Sequence, residues 1–428
     1  MFLCSYVKAD PDGIKRRDLY ASGDFRTIIS MIETEARQRI ARYERETRAK
    51  PTLENLPERM SAIGREVRIF QECNRPGAAK QRIVREHTKH ESRPPPSSLA
   101  ERLEARQDYS SRLIDGIAAN EAHATNFPNE RQWPSSETFV TVEMYECMRF
   151  LRQLNRGSAA GPDGFPYSLL ALRAVLKEQA IIFAAIANLA YANKLPPHLV
   201  TIVSASNGLS IPKERSTGWR PLGVRTATAR ALGSLLLSIL KKRGLLASAA
   251  GALQFGCAVR SGTSLASLSV RLAIDEDAHA GRAPRALTAT DISNAFQSPS
   301  RLQLAWALKS NAPELLPLFT MLYSRAPAVI LDADPNLPLA RVMSTAGVLQ
   351  GCSLGSAVFC IGHRRYVETT QQQLQELLPS TPVGGSFFAD DAENLHDIRV
   401  AAANIALSKM NAKIFLNADI NVSKTMLY

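Results

Sequence analysis

Ser386-Phe387-Phe388-Ala389-Asp390-Asp391 is the stretch on which the reading of this chain turns. Two aromatics, a small residue and two adjacent carboxylates follow the Gly384-Gly385 pair, and a helical run is expected from near Glu393. The pattern predicts a strand that carries Phe387 and Phe388 into a core and then turns sharply, lifting both aspartates out at its tip. Two carboxylates about 4 Å apart repel by roughly 4 kcal/mol at an effective dielectric near 20. Such a pair is either solvated, as turn aspartates often are, or shares a cation.

Upstream, Ala286-Leu287-Thr288-Ala289-Thr290 predicts a short strand leading to Asp291. If that strand neighbours the one before Asp390, three carboxylates converge. Three oxygen donors without Cys or His suit a hard cation such as Mg²⁺. Two such ions about 4 Å apart clamp the attacking and leaving oxygens in phosphoryl transfer. Three unrelated strand-end acids are the plainer alternative.

The chain has 428 residues and 45% hydrophobic content, enough for two or three domains with cores. Lys and Arg number 52 against 40 Asp and Glu, a net charge of +12 that points to a polyanionic partner. The six cysteines are scattered, with no C-x-x-C, which argues against a zinc ribbon and a secreted disulfide scaffold. The longest apolar run, Ala180 to Ala192, is too short to span a bilayer and reads as a buried helix. A soluble, intracellular protein that does not engage a membrane is expected.

Residues 1–135 read as a charged helical extension with a Pro-rich linker near 74–98 and a third helix from about Ser98 to Ala122. A helix over Val142 to Asn155, a tight turn at Gly161-Pro162-Asp163-Gly164 and a long helix to about Asn193 follow. Val200 to Ser204 and Ser210 to Ile211 are β-prone. From Lys213 to Arg243 there are eight basic residues (Lys213, Arg215, Arg220, Arg225, Arg230, Lys241, Lys242, Arg243) against one acid, Glu214. That bias suits a phosphate-binding surface. Helices near Leu302 to Leu308 and Leu315 to Ser324 and a strand at Val329 to Leu331 complete a pattern without βαβα regularity, so the fold class is α+β.

Asp291-Ile292-Ser293-Asn294-Ala295-Phe296, then Gly347-Val348-Leu349-Gln350-Gly351-Cys352-Ser353-Leu354, then Phe388-Ala389-Asp390-Asp391 form an ordered series. Before it stand Ser158 to Gly164, Ile211-Pro212-Lys213 with Trp219-Arg220-Pro221-Leu222, and Gln254-Phe255-Gly256; after it stands Asn421-Val422-Ser423-Lys424-Thr425. The series resembles the polymerase motifs of reverse transcriptases, closest to the non-LTR (LINE-like) retrotransposon group, over about residues 137–428. The order of the motifs is more specific than any one of them.

The resemblance implies a right-hand fold, with fingers and the start of the palm over 136–285 and the palm over 286–428. It implies an RNA-directed DNA polymerase that takes an RNA template, a DNA primer and deoxynucleoside triphosphates. Asp291, Asp390 and Asp391 would hold two Mg²⁺ ions, with Mn²⁺ as a substitute. Lys213 and Arg220 would face the triphosphate, Gln350 and Gly351 would line the template and nucleotide pocket, and Lys424 would give a proton to the leaving pyrophosphate or simply place a charge near it. Phe296 would block a 2′-hydroxyl. The chain stops at Tyr428, just after the last motif, so a C-terminally truncated unit without a thumb is expected. The rival readings are a truncated remnant that binds nucleic acid with little polymerase activity and an RNA polymerase of the same architecture, which Phe296 opposes.

Overall fold

A computed structural model describes residues 98–114, 132–155, 158, 160–212, 219–282, 285–331, 340–377, 379, 383–421 and 425–427. The chain divides into two units between Arg93 and Pro94, and every described residue lies in the second. The helices and linker expected before residue 98 lie outside the described residues.

Helices α1 (Leu99–Ile114), α2 (Met144–Arg152), α3 (Tyr167–Leu170), α4 (Leu176–Tyr191) and α5 (Pro197–Ser204) lead into β1 (Ser206–Pro212) and β2 (Trp219–Arg225). Then come α6 (Ala227–Lys242), α7 (Leu245–Ala250), α8 (Gly262–His279) and β3 (Ala286–Asp291). They are followed by α9 (Arg301–Asn311), α10 (Leu316–Tyr323), β4 (Ala328–Leu331), β5 (Ala340–Met343) and α11 (Gly355–Leu377). A hairpin, β6 (Gly384–Phe388) and β7 (Asp391–His396), precedes α12 (Ala401–Leu416) and β8 (Met426–Leu427).

The fold is mixed α+β. One sheet runs β2-β1-β4-β5, with β1 and β4 parallel and the other pairs antiparallel. The other runs β6-β7-β3-β8 and is antiparallel throughout. The core gathers between the sheets and α4, α6, α10 and α11, where Leu232, Leu236, Phe319, Phe359 and Tyr366 are fully buried. Helix α6 starts where the Thr226 hydroxyl accepts from Ala229 N, and Lys241 and Lys242 in its last turn oppose the negative end of the dipole.

Strand β3 alternates strictly. Ala286, Thr288 and Thr290 face inward, while Leu287, Ala289 and Asp291 face the other way. The inward face is notably polar. Thr288 Oγ1 lies 2.7 Å from His396 Nε2, Gln371 donates to Asn394 Oδ1 at 2.5 Å, and Asn411 donates to Thr370 and Gln373.

Several expectations change. No helix begins at Glu393: residues Asp391–His396 form β7, paired on both sides, and the helix starts at Ala401. Phe387 is buried but Phe388 is 37% exposed, because adjacent strand residues point to opposite faces. Val200 to Ser204 closes helix α5, where Pro197 in the first turn starts the helix and overrides the β-branched run. The Ala180–Ala192 run buries Ala180, Phe183, Ala184, Ala187 and Tyr191 but exposes Ile181, Ile182 and Leu189, so only one face of α4 is core. Helix α1, grouped by composition with residues 1–135, packs on the first sheet. Tyr109 donates to the Leu222 carbonyl, Arg106 to the Leu331 carbonyl, and Ser210 to the Ala105 carbonyl. Among the described residues no helix is long and apolar enough to cross a membrane.

His363 on α11 is fully buried among Phe359, Tyr366 and Phe387, and neither ring nitrogen has a hydrogen-bond partner among the described residues. Burial pushes its pKa down to about 3. The unfolded chain therefore takes up a proton near pH 6.5 that the folded chain refuses, and stability falls as pH drops from there toward 3. His363→Leu should remove that slope, on the order of 1 kcal/mol per pH unit. Urea melts of both proteins at pH 7 and pH 5 check it; parallel losses in the two would refute it.

Candidate active site

A cavity of about 660 Å³ opens where the two sheets approach, lined by Arg220, Pro221, Asp291 to Gln297, Gln350, Asp390, Asp391 and Asn421. The antiparallel register sets Asp291 directly opposite Asp391 at the ends of β3 and β7. Directly opposed residues share a face of the sheet, so both carboxylates belong to the open side. Asp390 sits in the two-residue connection between Phe388 and Asp391. Ala389 before it has φ +56°, a left-handed conformation that favours Gly at the first position of such a hairpin turn.

Gln254 supports that turn. Its Oε1 accepts from the backbone N–H groups of Ala389 and Gly256, both at 2.9 Å, and its Nε2 donates to the Ala389 carbonyl at 3.2 Å. Phe255 N donates to Phe387 O and Phe387 N to Leu253 O, so residues 253–255 run beside β6. A Cβ on Gly256 would collide with Ala389 N, which is why Gly follows Gln254-Phe255.

Asp390 is half-buried. Loss of water raises its carboxyl above the ordinary range, a backbone hydrogen bond opposes that, Asp391 and Asp291 raise it further, and Arg220 lowers it. Asn421 grips Asp291 twice: its N–H donates to the Asp291 carbonyl at 2.8 Å and its Nδ2 to Oδ2 at 3.3 Å.

The opposite wall is the loop before α11. Gly347 has φ +55°, and a Cβ there would strike the Phe296 carbonyl, which accepts from Val348 N at 2.7 Å. The Phe296 ring stacks on Phe359 with centroids 4.7 Å apart. Gly223 on β2 donates to the Gln350 carbonyl at 2.7 Å, which joins the first sheet to this loop and brings the exposed Arg220 into the cleft.

Arg301 builds the loop from below. Its buried guanidinium donates to the carbonyls of Gly347 (2.9 Å), Ser344 (2.5 Å) and Ala346 (3.2 Å) and to Ser344 Oγ (2.7 Å). It also lies 4.9 Å from the centre of the Tyr323 ring, and Arg225 lies 4.4 Å from the same ring. The Tyr323 hydroxyl accepts from Leu349 N at 3.1 Å. Burial pushes Arg301 down to about 9 and Tyr323 up to about 12.

The basic cluster therefore divides. Arg225 is fully buried and donates to the Ser204 carbonyl; Arg230 is buried over the Tyr167 ring and donates to Ser158 Oγ. Both are braces of the core, correcting the expectation of a continuous phosphate surface. Lys241, Lys242 and Arg243 are exposed at the far end of α6, and Arg220 is the described member that lines the cleft.

Asp291, Asp390, Asp391, Arg220, Phe296 and Gln350 thus share one cavity. Gly351 does not line it; with φ +93° it faces the Gly223 carbonyl and shapes the loop. Lys213 and Lys424 lie outside the described residues. Sequence reasoning missed Asn421 as a site residue, although it heads the Asn-x-x-Lys-Thr run, and missed Arg301 and Gln254, whose roles depend on burial.

Among the described residues no three His, Cys, Asp or Glu side chains are gathered into a ready metal site. The donor chemistry still fits a hard divalent cation: the cleft offers carboxylate oxygens, and the loss of water and, after it, the neighbouring carboxylates that disfavour the Asp390 charge are both offset by a cation.

No protein-family model and no curated protein matches the chain. Among solved structures it is similar to apo telomerase from Candida tropicalis truncated from its C-terminal domain, at 13% identity and TM-score 0.40, over 58% of this chain and 55% of that one. Telomerase from Candida tropicalis in complex with a TWJ fragment of telomeric RNA aligns at 11% identity and TM-score 0.41, over 53% of this chain and 41% of that one. The corresponding Candida albicans complex aligns at 14% and 0.40, over 55% and 44%. The chain thus spans about half the length of these structures or less.

Asp390→Asn should stabilise the fold at neutral pH by a few degrees in Tm, because it removes a charge that has lost water and sits beside two other carboxylates at a functional site. The folded state disfavours the ionised carboxyl, so the gain shrinks as pH falls and the wild-type carboxyl takes a proton. Mg²⁺ should raise the melting temperature of the wild type more than that of the variant. Scanning fluorimetry against pH and Mg²⁺ reads both; a lower Tm for the variant at pH 7 would contradict the electrostatic reading.

Proposed function

We propose that the chain is an RNA-directed DNA polymerase of the reverse transcriptase kind, of the non-LTR retrotransposon group, which extends a DNA 3′ end along an RNA template. The observation that carries this reading is the meeting of Asp291, Asp390 and Asp391 with Arg220, Phe296 and Gln350 on one cavity. The carboxylates are the residues to hold divalent cations, with Asn421 fixing the orientation of Asp291. Bound Mg²⁺ would activate the primer hydroxyl and neutralise the charge that develops on the phosphate oxygens.

Arg220 supplies a planar guanidinium that pairs with triphosphate oxygens in bidentate fashion. Phe296 lies beside the sugar of the incoming nucleotide, and its stacking on Phe359 keeps it from swinging aside to admit a 2′-hydroxyl. Gln350, whose carbonyl is held by Gly223, offers its side chain to the nucleotide and template. Lys213 as a triphosphate contact and Lys424 as the proton donor to pyrophosphate belong to this reading through the motif resemblance.

The wild-type chain should incorporate deoxythymidine triphosphate on a primed poly-adenylate template with Mg²⁺. Asp390→Ala should lose more than the roughly 10–100-fold that loss of a supporting group costs a metal site. Absence of incorporation by the wild type, or equal incorporation by the variant, would remove the enzymatic reading in favour of a nucleic-acid-binding protein.

Phe296→Ala should gain use of uridine triphosphate by about tenfold relative to deoxythymidine triphosphate, because the truncated side chain no longer meets the 2′-hydroxyl. Competition assays on the same template give the ratio; an unchanged ratio would leave Phe296 as a core residue packed on Phe359.

A further inference from the structure

We propose that the groove between α9 and α11 is a second nucleic-acid site, which takes one base of a single strand against Trp306 and its phosphates on a flanking basic track. The groove encloses about 260 Å³ and shares no lining residue with the carboxylate cleft. That volume is below the roughly 300–1,000 Å³ of sites for drug-sized ligands, so it suits one ring system. Its walls combine the Trp306 ring with Gln303, Arg364 and Arg365.

Three features point to a nucleobase with attached phosphate. Gln303 Oε1 is buried with no hydrogen-bond partner among the described residues, so the groove holds an acceptor in need of a donor. Base edges carry such donors. The lining carboxylate, Glu368, pairs with Arg364 at 2.6 Å, and Arg365 lines the groove beside them, its guanidinium 5.3 Å from the centre of the Phe415 ring. Cations flank the ring: Lys309 stands 5.0 Å from the Trp306 ring centre, and Arg364, anchored on the Ser248 and Ala249 carbonyls of α7, and Arg365 line the groove. An aromatic platform beside a row of cations is the arrangement that binds single strands with little sequence preference.

Intrinsic fluorescence tests this. The chain has three tryptophans; Trp219 is buried, and Trp133 stacks on Phe319 and donates to Thr320. Oligouridylate added to the full chain should quench Trp306 emission saturably, and the quench should vanish in Trp306→Phe. Trp306→Ala should weaken this binding about tenfold, and Arg365→Gln should lower its salt slope by about 1. Arg220→Gln, in the cleft, should leave the quench unchanged. Inorganic polyphosphate should compete without quenching. The proposal fails if RNA binds without altering Trp306 emission, if polyphosphate quenches equally (a surface that reads charge alone), or if Trp306→Ala, shown folded by its melting curve, binds as many strands as tightly as wild type. None of these readouts requires polymerisation.

Discussion

The register between β3 and β7 is the constraint on which the candidate site depends. Opposing Asp291 to Asp391 also sets Thr290 against Ala392 and Thr288 against Asn394 on the buried side. A slip of one residue would turn a carboxylate into the core and a buried polar residue into the cleft. The hydrogen bond between Thr288 and His396, the pairing of β7 on both edges and the Gln254 grip on Ala389 all lock the same register. The strained φ of Ala389 is held by these contacts, since a lone turn would relax it.

The second wall of the cleft is made differently. Arg301 and Arg225 bury their guanidinium groups around one tyrosine ring, and the carbonyls that receive their hydrogen bonds belong to the loop and chain ends that need fixing. Five N–H donors in a rigid fork can satisfy several backbone acceptors at once, which an ammonium cannot. Two of the eight basic residues in the run that looked polyanion-binding, Arg225 and Arg230, are thus spent on folding. Among the described residues, Arg220 is the cation that lines the cleft with the three carboxylates.

Much of this was legible in the sequence where a residue's role depends on its near neighbours in the chain. Asp291 at the end of an alternating strand, Asp390-Asp391 after two aromatics and the Gly161-Pro162-Asp163-Gly164 turn all follow from local pattern, and the last is closed by a hydrogen bond from Gly164 N to Gly161 O. What was not legible depends on tertiary partners. Asp391–His396 contains residues at home in helices, and only pairing on both sides makes it a strand. Arg225 and Arg230 carry the same charge as Arg220, and no local signal distinguishes a brace from a contact. Asn421 lies far from Asp291 in sequence, and the antiparallel bridge between Ile292 and Ile420 brings them together.

The polar layer under the second sheet has a mechanical consequence. Apolar layers can slide past one another by fractions of an ångström, because dispersion contacts are non-directional. Directional bonds such as Gln371 to Asn394 and Asn411 to Thr370 and Gln373 must break before α11 or α12 can shear along the sheet or along each other. The platform that carries the carboxylates is therefore stiff against sliding, whereas the first sheet is joined to the loop opposite it by the backbone hydrogen bond from Gly223 to Gln350.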